Sequence, residues 1–100
     1  MKYRVFDGAL YIALEGELDQ LTAPILKKAI DKLISNTEYN KIVLDLSEMT
    51  FMDSTGVGLI MGRYKLARQL SKFILIKAPT KSVDKVLQVS GIYSIIQKIK

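Results

Sequence analysis

The chain contains no cysteine and no histidine among its 100 residues. Without cysteine it can form no disulfide, no thiolate metal site and no cysteine nucleophile, a composition that fits a reducing compartment. Without histidine it lacks the commonest general base, the commonest metal ligand and the usual partner of a serine nucleophile. These two absences weigh against most hydrolytic and metal-dependent enzyme classes.

The chain also has few residues that interrupt regular structure, with only two prolines and six glycines. Hydrophobic residues make up 49% of it and charged residues 25%, which predicts a single globular domain over residues 1–100. No apolar run is long enough to cross a bilayer, and the N-terminal residues do not form a secretory signal. We therefore expect a soluble cytoplasmic protein that does not bind membranes.

The net charge is +5, yet the lysines and arginines form no cluster. They are spread along the chain, and no group of them alternates with aromatic side chains of the kind that stack on bases. We expect an ordinary solvated surface and no direct binding of nucleic acid.

The first half of the chain changes from a strand pattern to a helix pattern. Apolar residues alternate with other residues on both sides of Asp7 and Gly8, a dipeptide that favours tight turns, which predicts an N-terminal β-hairpin. Thr22 is placed to cap a helix with Pro24 in its first turn, and this helix should end near Asn36. Its apolar positions follow helical spacing and should face the core: Ile25, Leu26, Ala29, Ile30, Leu33 and Ile34.

The second half of the chain also alternates between strand and helix patterns. Residues 42–46 form an apolar run that predicts a central strand covered on both faces. Residues 54–70 return to helical spacing, and residues 73–76 predict another buried strand.

The last third of the sequence contains one more helix and an ambiguous end. Thr80 or Ser82 is placed to cap the helix, which should stop at residues 90–91. Residues 92–100 fit either a helix or a short edge strand, and we favour the strand. Together the elements predict an α/β fold, in which a mixed sheet of four to five strands begins with the hairpin, continues through strand–helix–strand units with parallel middle strands, and carries helices packed on it.

Residues 53–56, Asp-Ser-Thr-Gly, connect the central strand to the helix that follows it. In α/β folds, ligands and partners bind at the carboxyl ends of strands, where helix N-termini expose amide donors. Asp53 or Ser54 can also cap the helix, and taken alone the motif is explained more simply by capping than by a functional site.

Three enzymatic interpretations of this corner fail on chemistry. A nucleophile elbow needs glycine two residues before its serine, and Met52 stands there instead. The glycines at 56, 58 and 62 do not form a dinucleotide fingerprint, since the third comes one residue late. A phosphate-binding P-loop needs lysine followed by serine or threonine after its second glycine, and this pair is missing. The corner therefore suits binding better than catalysis.

Gly58 and Gly62 lie one helical turn apart inside a predicted helix. Each destabilises that helix by about 1 kcal/mol relative to alanine, so we expect a packing or a binding reason for both. They would open a groove on the helix that either the sheet or a partner approaches. A second apolar stripe flanks the core face and would be a partner site if it is exposed: Leu59, Leu66 and Leu70.

The residues of this corner resemble the signature of a known family. Residues 51–59 followed by residues 62–65 are similar to the central motif of the anti-sigma factor antagonists, which are STAS domains (sulfate transporter and anti-sigma factor antagonist). Residues 16–19 with residues 22–23 match a second recurrent segment of the family, and residues 90–92 match a third. The resemblance covers nearly the whole chain and implies the STAS fold.

The resemblance implies a regulatory protein that works by binding and is not an enzyme. In the family, the serine after the aspartate is phosphorylated by a partner that is both an anti-sigma factor and a serine kinase, which assigns the acceptor to Ser54 rather than Thr55. The unphosphorylated protein binds that partner and frees the sigma factor, and a serine phosphatase reverses the modification. No cofactor and no metal ion are implied, and the protein should be a monomer or a weak dimer.

The same resemblance implies a contact surface for the kinase, formed by the loop of Asp19 and the flank of the helix after Ser54. Asp19 also fits a turn residue ahead of Thr22, and both interpretations stay open. The alternative function is that of a STAS domain in a stress-signalling scaffold or in a lipid or anion transport complex, which senses a ligand without phosphorylation. The implied partner-binding residues are Asp19, Asp53, Ser54, Thr55, Gly56, Gly58, Leu59, Gly62 and Arg63.

Overall fold

The first two strands form an antiparallel hairpin. The computed structural model describes all residues from 1 to 100. Strand β1 (Lys2–Phe6) pairs with strand β2 (Ala9–Leu18), and the turn between them has φ values of 52° at Asp7 and 76° at Gly8. Positive φ at both central residues is typical of the primed turns whose twist matches that of a hairpin. The predicted N-terminal hairpin is confirmed.

Helix α1 (Ala23–Asn36) follows β2 and ends at the predicted residue. Pro24 lies in its first turn, where the missing amide donor would have no helical acceptor. Ile30 and Ile34 are fully buried, whereas Ile25 is 73% exposed, so the assignment of Ile25 to the core face is wrong. At about 100° per residue, the five positions from Ile25 to Ile30 turn Ile25 about 140° away from the buried stripe.

Strand β3 (Lys41–Met52) is much longer than the predicted strand over residues 42–46. Its pairing with β2 shifts register twice, and at each shift β3 carries one residue more than β2. Such bulges change the face of the sheet to which the following side chains point. As a result Leu46, Met49 and Met52, which are spaced by three residues rather than two, are all buried in the core.

The second half of the chain contains two helices and two short strands. Helix α2 (Ser54–Gln69) leads to strand β4 (Phe73–Lys77), and helix α3 (Lys81–Ser90) stops at Gly91, where φ is 80°. A single 3₁₀ turn then precedes strand β5 (Gln97–Ile99). The strand favoured for the end of the chain is therefore confirmed. None of the helices has both the length and the apolar content that crossing a membrane requires.

The five strands form one mixed sheet in the order β1-β2-β3-β4-β5, and every neighbouring pair after the hairpin is parallel. Side chains from all three helices share one core with alternate residues of the strands, so the helices cover a single face of the sheet. The predicted α/β fold, with four to five strands and parallel middle strands, is confirmed. The core includes the strand residues Leu10, Ile12, Leu14, Ile42, Leu44, Leu46, Ile74 and Ile76.

The opposite face of the sheet has no helix on it. Val43 of β3 is nevertheless fully buried, because Tyr11 and Leu75 lie beside it in register on the two flanking strands. Phe73, at the start of β4, is 71% exposed. The prediction that the central strand is covered on both faces is confirmed, although helices cover only one of the faces. The prediction that residues 73–76 are buried throughout is wrong.

The end of β3 extends past β4, which pairs with it only over residues 41–45. The hydroxyl of Thr80 donates to the carbonyl oxygen of Met49 at 2.8 Å, and that of Ser82 donates to the carbonyl oxygen of Thr50 at 3.5 Å. Neither hydroxyl caps α3, although Thr80 occupies the N-cap position. The predicted capping role is wrong, since these hydroxyls satisfy carbonyl groups of β3 that β4 does not reach.

A cluster of polar side chains ties the end of the chain to α3. Asp84 Oδ1 accepts hydrogen bonds from the Tyr93 hydroxyl at 2.6 Å and from Lys98 Nζ at 3.1 Å. The hydrogen bond from Tyr93 is the main cause that lowers the pKa of Asp84. Burial, together with the nearby Asp84 carboxylate, raises the pKa of Tyr93. One carboxylate thus joins α3, the 3₁₀ turn and the edge strand β5.

We expect this cluster to make the stability of the fold decrease at both extremes of pH. The raised pKa of Tyr93 gives a contribution that is complete below pH about 10, the unfolded value, and is lost as pH rises through the folded pKa. The lowered pKa of Asp84 gives a contribution that is complete above pH about 4 and is lost as pH falls through the folded pKa. Urea unfolding followed by circular dichroism across this range measures both changes.

Tyr93→Phe is the matched control for the alkaline change, because it keeps the ring and removes only the hydroxyl. It should lower the free energy of unfolding at neutral pH by about 1 kcal/mol, the typical value of one hydrogen bond. It should also lose most of the alkaline decrease. An alkaline decrease of the same size in Tyr93→Phe would contradict the role of this hydroxyl.

Candidate functional site

The connection from β3 to α2 presents an exposed hydroxyl group. Asp53 occupies the N-cap position of α2, and its Oδ1 atom accepts a hydrogen bond from the Thr55 amide at 2.9 Å. Ser54 is the first residue of the helix, is exposed, and its hydroxyl forms no hydrogen bond with another residue. The predicted helix cap is confirmed for Asp53, which leaves the Ser54 hydroxyl free for a partner.

The loop after β2 lies directly beside this corner. Leu18 and Met52, the last residues of β2 and β3, are register partners in parallel strands. The amide of Asp53 donates to the carbonyl oxygen of Leu18 over a distance of 3.4 Å. The segments that begin at Asp19 and at Asp53 therefore leave the sheet side by side, and both carboxylates belong to the same edge of the sheet.

Asp19 and Thr22 hold their own loop in place. Asp19 Oδ1 accepts hydrogen bonds from the amides of Leu21 and Thr22 at 2.9 and 3.1 Å. The Thr22 hydroxyl donates to the carbonyl oxygen of Glu17 at 2.9 Å and accepts from the amide of Asp19 at 3.0 Å. Thr22 occupies the N-cap position of α1 without a capping hydrogen bond, so its predicted capping role is wrong. The turn role of Asp19 is confirmed.

Gly56 is buried beneath the corner, where it permits close packing. A Cβ atom at this position would lie 2.5 Å from Met52 Cγ and 3.0 Å from Leu18 Cγ, closer than carbon atoms normally approach. The glycine thus lets the first turn of α2 pack against the ends of β2 and β3. Because Gly56 is buried, it shapes the predicted contact surface from below and offers no side chain to a partner.

A groove of about 380 Å³ runs between α1 and α2 next to the corner. A Cβ atom at Gly58 or Gly62 would have no heavy atom within 4 Å, so both glycines leave open space. The groove predicted at these glycines is confirmed, and it opens towards α1 rather than the sheet. It brings together five of the predicted partner-binding residues: Thr55, Gly58, Leu59, Gly62 and Arg63.

The apolar stripe predicted beside the core face of α2 is not a continuous exposed patch. Leu59 is only 7% exposed and belongs to the core, Leu66 is half-buried, and Leu70 alone is exposed. The partner site that an exposed stripe would provide is therefore not formed. Leu59 contributes a buried wall to the groove.

Arg63 is the only charged residue that the fold buries. Its Nε atom lies 2.6 Å from Oδ1 of Asp31 on α1, but the N–H bond is not aimed at that oxygen. The two groups form an ion pair across the groove without a complete hydrogen bond. Sequence patterns do not predict this pair, because its members belong to different helices and are far apart along the chain.

Three large apolar side chains near the corner are exposed and are not among the predicted partner-binding residues. Leu21 in the loop after β2 is 84% exposed, Ile25 in the first turn of α1 is 73% exposed, and Phe51 near the end of β3 is 47% exposed. Their positions in the chain put all three at the end of the sheet where Ser54 lies. The spacing of Ile25, off the buried stripe of α1, is the one signal that could have identified this surface.

The arrangement suits presentation of Ser54 to another protein. The carboxylates of Asp19 and Asp53 accept hydrogen bonds from backbone amides and hold the two loops in shape. No group of three or more acidic side chains lies close enough together to hold a metal ion. The two loops are thus held by their own hydrogen bonds, and the Ser54 hydroxyl is exposed beside them.

Several known proteins with a named regulatory role are similar to this chain. A family model described as STAS domain matches residues 1–100. The anti-sigma F factor antagonist of Paenibacillus polymyxa is 36% identical over 89 residues, which are 89% of this chain and 76% of that protein.

Two solved structures of one protein are similar in fold. The anti-sigma factor antagonist SpoIIAA in its unphosphorylated form has a TM-score of 0.81 at 26% identity, over 99% of this chain and 87% of the other. The Bacillus cell fate determinant SpoIIAA in the phosphorylated form has a TM-score of 0.72 at 26% identity, over 99% of this chain and 90% of the other.

We expect Asp53→Ala to lower the free energy of unfolding by about 1 kcal/mol, because it removes the acceptor of the Thr55 amide. Asp53→Asn keeps an acceptor oxygen at the cap and should stay within about 0.5 kcal/mol of the wild type. Chemical denaturation of the three proteins measures the difference. Equal losses in both variants would show that the charge of Asp53, and not its capping bond, stabilises the helix.

Gly56→Ala should lower the free energy of unfolding by about 1 to 3 kcal/mol, because its methyl group overlaps Met52 and Leu18. Gly58→Ala is the matched control in the same helix, and it should raise stability by about 0.5 to 1 kcal/mol since its methyl group meets open space. Thermal unfolding of both variants measures the contrast. A Gly56→Ala protein as stable as the wild type would refute the packing role of this glycine.

Proposed function

The chain belongs to the STAS domain family, and from this premise we propose that it is an anti-sigma factor antagonist switched by phosphorylation of Ser54. The observation that carries the proposal is the Ser54 hydroxyl, which is exposed at the first position of α2 and free of hydrogen bonds. The relatives named as anti-sigma factor antagonists support it. The solved structures of SpoIIAA in unphosphorylated and phosphorylated forms support the modification.

The proposed partner is an anti-sigma factor that also has serine kinase activity. The unphosphorylated protein binds this partner and thereby releases the sigma factor for transcription. Transfer of the terminal phosphoryl group of ATP to Ser54 Oγ displaces the hydroxyl proton, leaves ADP and weakens the complex. A serine phosphatase hydrolyses the phosphate ester and restores the binding form. Because sigma factors act on RNA polymerase, we place this protein in the cytoplasm, where it works by binding.

Charge explains how the modification acts on binding while the fold persists. A phosphoserine carries about 1.5 to 2 negative charges near neutral pH. The N-terminus of α2 carries a partial positive charge, so the helix tolerates a phosphate at Ser54. Asp53 beside it and Asp19 on the adjacent loop repel the new charge. Both carboxylates repel the phosphate in the free protein as well. The loss of binding therefore comes from the partner surface, which is shaped to receive a neutral hydroxyl and must remove water from the phosphate.

The proposed contact surface joins the loop of Asp19 to the exposed flank of α2. In protein interfaces a few side chains that pack into desolvated pockets carry most of the binding energy, whereas charges at the rim mainly affect the association rate and the specificity. The apolar anchors of this surface are Leu21, Ile25 and Phe51. Gly56 and Leu59 support the surface from beneath, since both are buried. Its polar and open part comprises Asp19, Asp53, Ser54, Thr55, Gly58 and Gly62, and the buried Arg63 lines the adjoining groove.

Incubation with ATP and the anti-sigma factor kinase of the same organism should add one phosphate to the wild-type protein and none to Ser54→Ala. Intact-protein mass spectrometry measures the modification. Fragmentation of the phosphorylated wild-type protein locates the phosphate and should place it on Ser54 and not on the adjacent Thr55. A phosphate that persists in Ser54→Ala, or one that is located on Thr55, would contradict the assignment.

Substitutions of Ser54 also test whether the added charge weakens binding. Ser54→Asp should bind the anti-sigma factor about tenfold or more weakly than the wild type, an effect of about 1.4 kcal/mol or more. Ser54→Asn has a similar size without the charge and should bind more tightly than Ser54→Asp. Isothermal titration calorimetry measures these affinities. Equal affinities of the two variants would count against the electrostatic mechanism.

A further inference from the structure

The two glycines that line the groove between α1 and α2 have no explanation within the fold. At Gly56 a Cβ atom would collide with Met52, whereas at Gly58 and Gly62 it would meet open space. Neither of these two has the positive φ that favours glycine. Glycine inside a helix is less stable than alanine, so α2 carries two unfavourable residues that its own packing does not require.

Arg63 in the same groove has hydrogen-bond donors that the chain does not satisfy. Its side chain is only 8% exposed, and Nε makes the misaligned contact with Asp31 described above. No other group of the chain accepts a hydrogen bond from the guanidinium. Nε is the only guanidinium nitrogen that is fully buried without an aligned acceptor. The other two nitrogens are not fully buried and can donate to an acceptor that enters the groove.

The charges around the groove favour an anionic occupant. Lys27 of α1 and Arg63 of α2 both line it, and the single carboxylate of Asp31 balances only one of these two positive charges. A guanidinium group binds a carboxylate through two parallel hydrogen bonds, which favours this anion in particular. The groove also reaches Thr55, the residue after Ser54, so it is continuous with the proposed contact surface.

We propose that this groove receives an aspartate or glutamate side chain of the anti-sigma factor that binds at Ser54. The carboxylate pairs with Arg63 and Lys27, and the missing side chains of Gly58 and Gly62 let the backbone of the partner approach closely enough for the contact. This proposal rests on the proposed function and adds the chemistry of the partner. It also explains both glycines, since they lower the stability of α2 but leave room for binding.

The test measures stability and binding on the same variants. Gly58→Ala and Gly62→Ala each place a methyl group in the groove, where no heavy atom beyond the neighbouring residues and the backbone of the same helix lies within 4 Å. Each should raise the melting temperature by about 4 °C and weaken binding of the anti-sigma factor by about tenfold. A variant that unfolds less easily but binds more weakly cannot owe its weaker binding to unfolding. The two measurements together therefore isolate the groove.

The charge of the groove is tested with Lys27→Gln and with Lys28→Gln as the matched control. Lys28 is the next residue on α1, is exposed and does not line the groove. We expect Lys27→Gln to weaken binding about fivefold at low salt and Lys28→Gln to leave it unchanged. Acidic residues of the anti-sigma factor are also replaced by alanine one at a time. One of these replacements should weaken binding to the wild type about fivefold more than it weakens binding to Lys27→Gln.

Unchanged affinity in both glycine variants, or equal effects of the two lysine variants, would overturn the groove proposal. The proposed function would still stand in that case, because binding of the wild type and phosphorylation of Ser54 test it separately. A wild-type protein that binds no anti-sigma factor and accepts no phosphate would overturn both proposals.

Discussion

The functional corner depends on how β2 and β3 stay paired to their last residues. β3 has two more residues than β2 over the paired length and absorbs them as two bulges, so Leu18 and Met52 still end opposite each other. Without the bulges, strict alternation after Leu46 would turn Met49 out of the core. Because the two strands end together, the loop of Asp19 and the start of α2 leave the sheet at the same point.

Glycine has two opposite structural roles within less than two turns of helix α2. At Gly56 the ends of β2 and β3 come so close that no Cβ atom fits, and this contact fixes the start of the helix on the sheet. At Gly58 and Gly62 the space stays open, and the Asp31–Arg63 pair borders it. A partly buried ion pair does not by itself stabilise a fold, so the charged groove is better explained by binding than by stability.

Local sequence patterns predicted the elements in which one residue determines the nearby backbone. Asp7 with Gly8 predicted the hairpin turn, Gly91 predicted the end of α3, and Asp53 was recognised as a cap. Patterns failed where a side chain finds its partner far away in the sequence. The hydroxyl of Thr80 binds a carbonyl group that is free only because β3 extends beyond β4. Such contacts depend on the packed fold and cannot be deduced from the local spacing of residues.

The candidate site shows the same division. The exposed Ser54 and the open glycines belong to a strand-to-helix motif that can be recognised directly in the sequence. The pair of Arg63 with Asp31 requires two helices to be packed first, because its members are far apart along the chain. A phosphate on Ser54 would gain little from the helix, because Asp53 already accepts the Thr55 amide that an anion would use. The phosphate would therefore stay solvated, and a partner that binds it must remove that water at a cost of a few kcal/mol. Since each difference of about 1.4 kcal/mol changes the affinity tenfold, this cost is enough to weaken the complex strongly. The proposed switch therefore acts on the interface and not on the fold.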